Sequence, residues 1–185
     1  MNKTVTLFHG TQDEGLDSFT MEGIGRGGDP NSALGLFFCE RPEPCLRYAD
    51  PDYDETGRLS GRGSVLVVEA ELSNAFIVES INQFFGLDDD GCKSGEGART
   101  HGDFLEARAR LIDMGYDCVA TDGCMDENAG IWVVLDPASI RSVRRVSTQE
   151  ALELEGSHVE DYGHVRMGGD GILFPDGQEV APSGP

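Results

Sequence analysis

Positive charge is scarce in this sequence. Fourteen lysines and arginines stand against 34 aspartates and glutamates in 185 residues, a formal net charge of -20. The acids are spread evenly along the chain rather than gathered in one tail. A folded surface of that kind repels nucleic acid and anionic membranes. It suits solubility, or attraction to a basic partner, including mimicry of nucleic acid. Cysteine is sparse and irregular, at positions 39, 45, 92, 118 and 124. An odd count without regular spacing excludes a disulfide framework, and the gaps are not those of a zinc knuckle. Reduced thiols in a cytoplasmic setting are expected. No apolar run reaches the ~18 residues of a membrane span, and no charged-then-apolar leader is present. Gly27-Gly28 is not followed by Gly-Lys-Ser/Thr, which excludes a phosphate loop. Asp88-Asp89-Asp90-Gly91 lacks the glutamate that would close a calcium loop, so no metal is expected.

The remaining 38% hydrophobic content is enough for one core. Residues 4–8 alternate and are β-branched, which predicts a strand. A polar, Gly-rich stretch follows, then a second strand over 34–38. Residues 41–50 form a short helix, with Pro42 and Pro44 placed in its first turn. Ser64–Leu72 carries the strongest strand signal, which 75–78 extends or flanks. After a Gly- and Ser-rich, mobile stretch at 93–100 comes an amphipathic helix over 103–114. Its apolar side is read as Phe104, Leu105, Leu111, Ile112 and Met114, and Gly115 is its C-cap. Strands over 116–120 and 131–135 enclose an acidic turn at 122–128, and 139–146 is a final edge segment. Residues 147–185 change character: Glu-rich, then Gly-rich, with a hairpin around Pro175-Asp176-Gly177 and a disordered end. The expected organisation is one α+β domain over 1–146 and an acidic, Gly-rich extension over 147–185.

Chemistry concentrates in the first 50 residues. Leu7-Phe8-His9-Gly10-Thr11 is a buried strand that ends on a histidine and a glycine. Phe37-Phe38 and Arg47-Tyr48 follow on two other segments. A histidine beside an exposed backbone amide, with aromatic faces nearby, suits a flat heterocycle carrying an amide, such as nicotinamide. Each residue also has an ordinary reading: His9 as a strand-end cap, Phe37 and Phe38 as core, Tyr48 as helix packing.

In this order the residues resemble the ADP-ribosyltransferase superfamily, on its diphtheria-toxin and poly-ADP-ribose-polymerase branch. Leu7 to Thr11 is similar to the motif that delivers the histidine of a His-Tyr-Glu triad. Gly35-Leu36-Phe37-Phe38 with Arg47-Tyr48-Ala49 is similar to the second motif. Gly115-Tyr116-Asp117, Ile131 to Pro137 and Ile140-Arg141-Ser142 are similar to the closing strands, especially of small phage-associated members. The resemblance covers about residues 4–146. It implies a split antiparallel β-sandwich with flanking short helices, and NAD as substrate. His9 would hydrogen-bond a ribose hydroxyl. The backbone of Gly10 would meet the carboxamide, with Thr11 and Phe38 lining the pocket. Phe37 and Tyr48 would sandwich the ring. Beside the resemblance, one of the scattered Arg26, Arg47, Arg62 and Arg99 could bind the pyrophosphate; Arg47 is nearest in sequence to the site and could equally make a surface ion pair.

Two positions depart from the family. Phe37 keeps the ring of the triad tyrosine but not its hydroxyl, and Ile131 stands where the triad glutamate would be. Chain elongation is therefore not expected. The acidic turn that holds Asp126 and Glu127 lies at most about 15–18 Å upstream and can supply the missing carboxylate, to stabilise a developing ribosyl cation. Two functions follow. One is mono-ADP-ribosylation of a macromolecule, with a basic protein as target, by a phage or effector protein that inactivates a host component. The other is a catalytically inactive NAD-binding or acidic decoy module. Ile131 and the net charge favour the second; His9, Gly10, Thr11 and Tyr48 favour the first.

Overall fold

The computed structural model describes residues 3–53, 58–78, 100–121 and 130–161. In chain order the strands are β1 (Lys3–Thr11), β2 (Leu36–Cys39), β3 (Ser64–Leu72), β4 (Ala75–Val78), β5 (Cys118–Thr121), β6 (Ile131–Val134) and β7 (Ile140–Ser147). The α-helices are α1 (Pro42–Ala49), α2 (His101–Asp113) and α3 (Thr148–Asp161). The strands form one sheet of order β4-β5-β6-β2-β1-β3-β7.

Two features show that this sheet is split and folded on itself. β1 pairs with β3 along all nine of its residues but with β2 only at Phe8↔Cys39. In addition, β3 and β4 stand five places apart in the order, about 24 Å in a flat sheet. Leu72 and Ala75 are three residues apart, at most about 11 Å of chain. Both hold only if the β4-β5-β6-β2 half closes over the β1-β3-β7 half. Asp117, just before β5, fixes that crossover: its carboxylate accepts from Ser73 N–H, Ser73 Oγ–H and Asn74 N–H. Between the halves lies one apolar core. It draws Leu7, Leu66, Val68 and Ala70 from one side and Phe38, Cys118, Ala120 and Trp132 from the other.

The outer faces carry the helices. α1 and α3 cover Phe8, Val65 and Val146, with Cys45, Leu46, Ala49 and Ala151 at 1% exposure or less. α2 packs Phe104 and Leu111 against Leu34, Val119 and Val133. α1 begins where its sequence requires, since Pro42 at the first helical position has no N–H to leave unpaired. α2 is closed by a capping box, in which Thr100 Oγ1 accepts from Asp103 N–H and Asp103 Oδ2 from Thr100 N–H.

The α+β class stands, with corrections in detail. The sheet is not wholly antiparallel, because β4 and β5 run parallel. Residues 75–78 do not extend β3 but form the opposite edge of the sheet. Leu105, Ile112 and Met114 of α2 are exposed; only Phe104 and Leu111 are buried. α3 was not legible as a helix in the Glu-rich segment, yet Ala151 is part of the core shared with α1. The acid-rich loop at 88–91, the turn at 122–128, and the hairpin and chain end beyond 161 lie outside the described residues. Most of the Gly- and Ser-rich stretch at 93–100 does too. Among the described residues no helix is long and apolar enough to cross a membrane.

Candidate functional site

The site is built on the split. Side chains alternate along β1: Leu7 and His9 point to the inner core, Phe8 and Gly10 to the α1 side. Where β1 and β2 part, the imidazole of His9 reaches across the gap, and its Nδ1 lies 2.9 Å from the carbonyl of Phe37. A carbonyl only accepts, so Nδ1 must carry the proton. Burial lowers the His9 pKa, partly offset by that hydrogen bond to Phe37. The ring is therefore neutral at physiological pH, with Nε2 as a lone-pair acceptor. Phe19 and Phe38 pack edge-on against it, at centroid distances of 5.3 and 5.8 Å.

Gly10 has a different geometry. A Cβ there would stand 2.0 Å from the carbonyl oxygen of Cys45 and 3.1 Å from the nitrogen of Ala49. Glycine is what allows α1 to lie directly on β1. The same helix is held from a second side by Gly63 (φ +65°), whose Cβ would meet Ala49 O at 2.1 Å. α1 is thus fixed against the strand that carries His9. Its last turn presents Arg47 and Tyr48 to solvent, Tyr48 at 68% exposure. Gln12 Nε2 donates to Tyr48 O at 3.3 Å, which ties the end of β1 to that turn. Thr11 is buried, and its Oγ1 accepts from Asp13 N–H.

The structure thus brings the His9 strand, β2 and the α1 terminus together, but on two faces. Phe38 is a core residue at 2% exposure that touches His9 with its ring. Phe37 touches His9 through its carbonyl, while its side chain packs on the outer face with the α2 cluster. Ile131 is half-buried in that same cluster, pairs with Cys39, and donates its N–H to Thr121 Oγ1. Asp126 and Glu127 lie outside the described residues.

Several residues escaped the sequence reading. Phe19 sits in a polar stretch with no periodicity, so nothing marked it as a partner of His9. Glu40 stands at the head of β6, with its N–H bonded to Gly130 O; burial raises its carboxyl pKa against the pull of Arg41. Asp50 is fully buried and accepts from Ser60 N–H, Ser60 Oγ–H, Gly61 N–H and Asp52 N–H. Burial works to raise its pKa, but the bonds from Ser60, Asp52 and Gly61 outweigh that and hold the carboxyl below the usual range. It anchors the loop leading into β3. The signal in the sequence is an aspartate set directly after a helix.

No family model and no curated protein matches the chain. Among solved structures it is similar to an anti-CRISPR protein, at 19% identity over 77% of this chain and 96% of that one, with a TM-score of 0.38. It is also similar to the M. tuberculosis MbcT-MbcA toxin-antitoxin complex, at 11% identity over 84% of this chain and 90% of that one, with a TM-score of 0.42. Similarity at this level assigns no activity.

Proposed function

We propose that this chain binds NAD at the β1/β2 split and transfers one ADP-ribose from it to a macromolecular acceptor. The observation that carries the reading is His9: a neutral imidazole, locked in one tautomer by Phe37 O, placed where two strands separate. In that tautomer Nε2 accepts a hydrogen bond from a ribose hydroxyl. The reaction breaks the bond between ribose C1′ and the pyridine nitrogen. The electron pair leaves with nicotinamide, positive charge grows on the ribose, and the acceptor's nucleophile bonds C1′ as it loses its proton. The roles of the chain are to orient the ribose through His9 and to hold the leaving ring. The Gly10 backbone would meet the carboxamide and the exposed Tyr48 ring would lie on one face of the pyridine; the Phe37 ring, turned to the outer α2 face, does not form the expected second side of a sandwich. Offset stacking contributes about 0.5–1.5 kcal/mol per ring. A carboxylate from Glu40, Asp126 or Glu127 would stabilise the cation, in place of the apolar Ile131. The acidic surface favours a basic protein as acceptor.

Ile131 supports a second reading, a module that binds NAD without turnover. Its side chain packs in an apolar cluster, so β6 itself carries no acid at that position. Radiolabelled NAD separates the two. Turnover predicts nicotinamide release and labelling of one or a few proteins in a lysate, both abolished by His9→Ala. Binding without release establishes the second reading, and neither binding nor release refutes both.

A further inference from the structure

Two thiols meet where β1 and β2 part. Cys39 ends β2 and pairs with Phe8 of β1. Cys45 stands on α1, and its backbone rests on Gly10, two residues beyond Phe8 on the same face of β1. Both cysteines therefore lie in the apolar cluster between α1 and the sheet, Cys45 buried and Cys39 half-buried. Both are free thiols. From this juxtaposition we infer that Cys39 and Cys45 form an oxidisable pair: Cys39 reacts with a hydroperoxide, and Cys45 closes a disulfide onto it.

Burial and hydrogen bonding divide the roles. Cys39 is partly open, so a small oxidant reaches it. Cys45 is closed off, its sulfur 3.8 Å from the carbonyl oxygen of Arg41. The hydrogen bond with Cys45 lowers the pKa of the Cys39 thiol, against burial and the charge of Glu43, which raise it. Burial, and then the hydrogen bond with Cys39, push the Cys45 thiol up. The proton of the pair thus stays on Cys45, and the thiolate, which is the nucleophile, forms on Cys39. Cys118 is a contrast: it lies in the core between the two sheet halves, where burial and then Asp117 push its thiol up.

The steps balance. The Cys39 thiolate attacks one peroxide oxygen and the O–O bond breaks. Cys39 becomes a sulfenic acid, and the other oxygen leaves as hydroxide or alkoxide, which takes a proton from water. The Cys45 sulfur then attacks the Cys39 sulfur. The S–O bond breaks, and the leaving hydroxide takes the Cys45 proton and departs as water. Two thiols are oxidised by two electrons and one peroxide is reduced. The new bond draws the sulfurs from hydrogen-bond contact to about 2.05 Å. α1 cannot follow by sinking onto β1, because Gly10 already lets it as close as backbone allows. The Cys45 sulfur turns toward β2 instead, away from the Gly10 backbone that hydrogen-bonds it in the reduced protein. Oxidation therefore changes what the Gly10 amide meets at the split. That this matters to a ligand rests on the NAD reading above; the thiol chemistry does not.

The test treats the full chain with hydrogen peroxide, alkylates the remaining thiols, and maps tryptic peptides by mass. Trypsin cuts after Arg26 and Arg47 but not at Arg41, which Pro42 follows, so one peptide, 27–47, holds both cysteines. That peptide is expected to become two hydrogens lighter and unalkylated, and dithiothreitol is expected to reverse the change. Cys45→Ala is expected to stop at a sulfenic acid on Cys39, trapped by dimedone, and Cys39→Ser to leave Cys45 reduced. Nitrogen–proton NMR is expected to show the Gly10 amide moving on oxidation and returning on reduction. Two alkylated cysteines in 27–47 after peroxide overturn the inference, as does a disulfide from either one to Cys92, Cys118 or Cys124. The mapping uses the unmodified chain, so it stands even where a variant fails to fold. A disulfide that leaves the Gly10 amide unmoved overturns the coupling to the split. Failure to bind NAD in both redox states would instead overturn the NAD reading and leave the pair as it is.

Discussion

Gly10→Ala tests how α1 is held against the site. The added methyl carbon would lie 2.0 Å from Cys45 O, 2.9 Å from Cys45 C and 3.1 Å from Ala49 N. All three are backbone atoms, so no rotamer change relieves the clash. Ordinary contact requires α1 to back away by more than ~1 Å, in an interior packed at near-crystal density. That movement loosens Cys45, Leu46 and Ala49 from Phe8 and Val65. Overpacking of this kind costs about 1–3 kcal/mol, and a backbone-on-backbone clash belongs at the upper end. For a chain of this size, about 3 kcal/mol corresponds to a melting temperature lower by about 6–12 °C. Calorimetry measures it, with Gly15→Ala as control, since the nearest atom to its Cβ is the side chain of Asp13 at 3.3 Å. A Gly10→Ala protein that melts within a degree or two of wild type would show that α1 does not rest on β1, and the placement of Tyr48 beside the His9 strand would fail with it.

Other outcomes follow from the same geometry. Asp50→Ala leaves Ser60 and Gly61 without their acceptor and should cost about 1–3 kcal/mol, read by denaturant unfolding. The depressed Asp50 pKa makes its contribution full above the ordinary carboxylate pKa of about 3.9, lost as pH falls through the lower folded value. The depressed His9 pKa acts earlier: stability is full above about pH 6.5 and declines below it, because the unfolded chain takes up the proton first. That decline should vanish in His9→Gln, measured by melting between pH 7.5 and 5. If Glu40 supplies the carboxylate, Glu40→Gln lowers nicotinamide release at least about a hundredfold while Asp126→Asn and Glu127→Gln do not. Full activity in all three variants removes the carboxylate from the mechanism.

Local patterns made much of the scaffold legible. The alternation of Ser64–Leu72 and the prolines at the start of Pro42–Ala49 specify their elements without outside help. What was not legible depends on distant pairing. Nothing local to residues 75–78 tells that they pair in parallel with β5 at the far edge of the sheet. α3 is bound through Ala151 against α1, a contact that a Glu-rich composition conceals. For the site, His9 and Tyr48 were visible as residue types, and the ends of their segments do meet through Gln12. The face of each side chain was not visible, because a strand turns successive residues to opposite sides. That alternation separates His9 from Gly10, and the Phe38 ring from the Phe37 ring. Phe19 reaches the site only through the tertiary fold.

A crystal of the chain soaked with NAD tests the central claim most directly. The expected density places a ribose hydroxyl on Nε2 of His9, with Nδ1 still bonded to Phe37 O and the nicotinamide ring beside Tyr48. Dinucleotide bound elsewhere, or an imidazole that leaves Phe37 O without engaging a ribose, would contradict it.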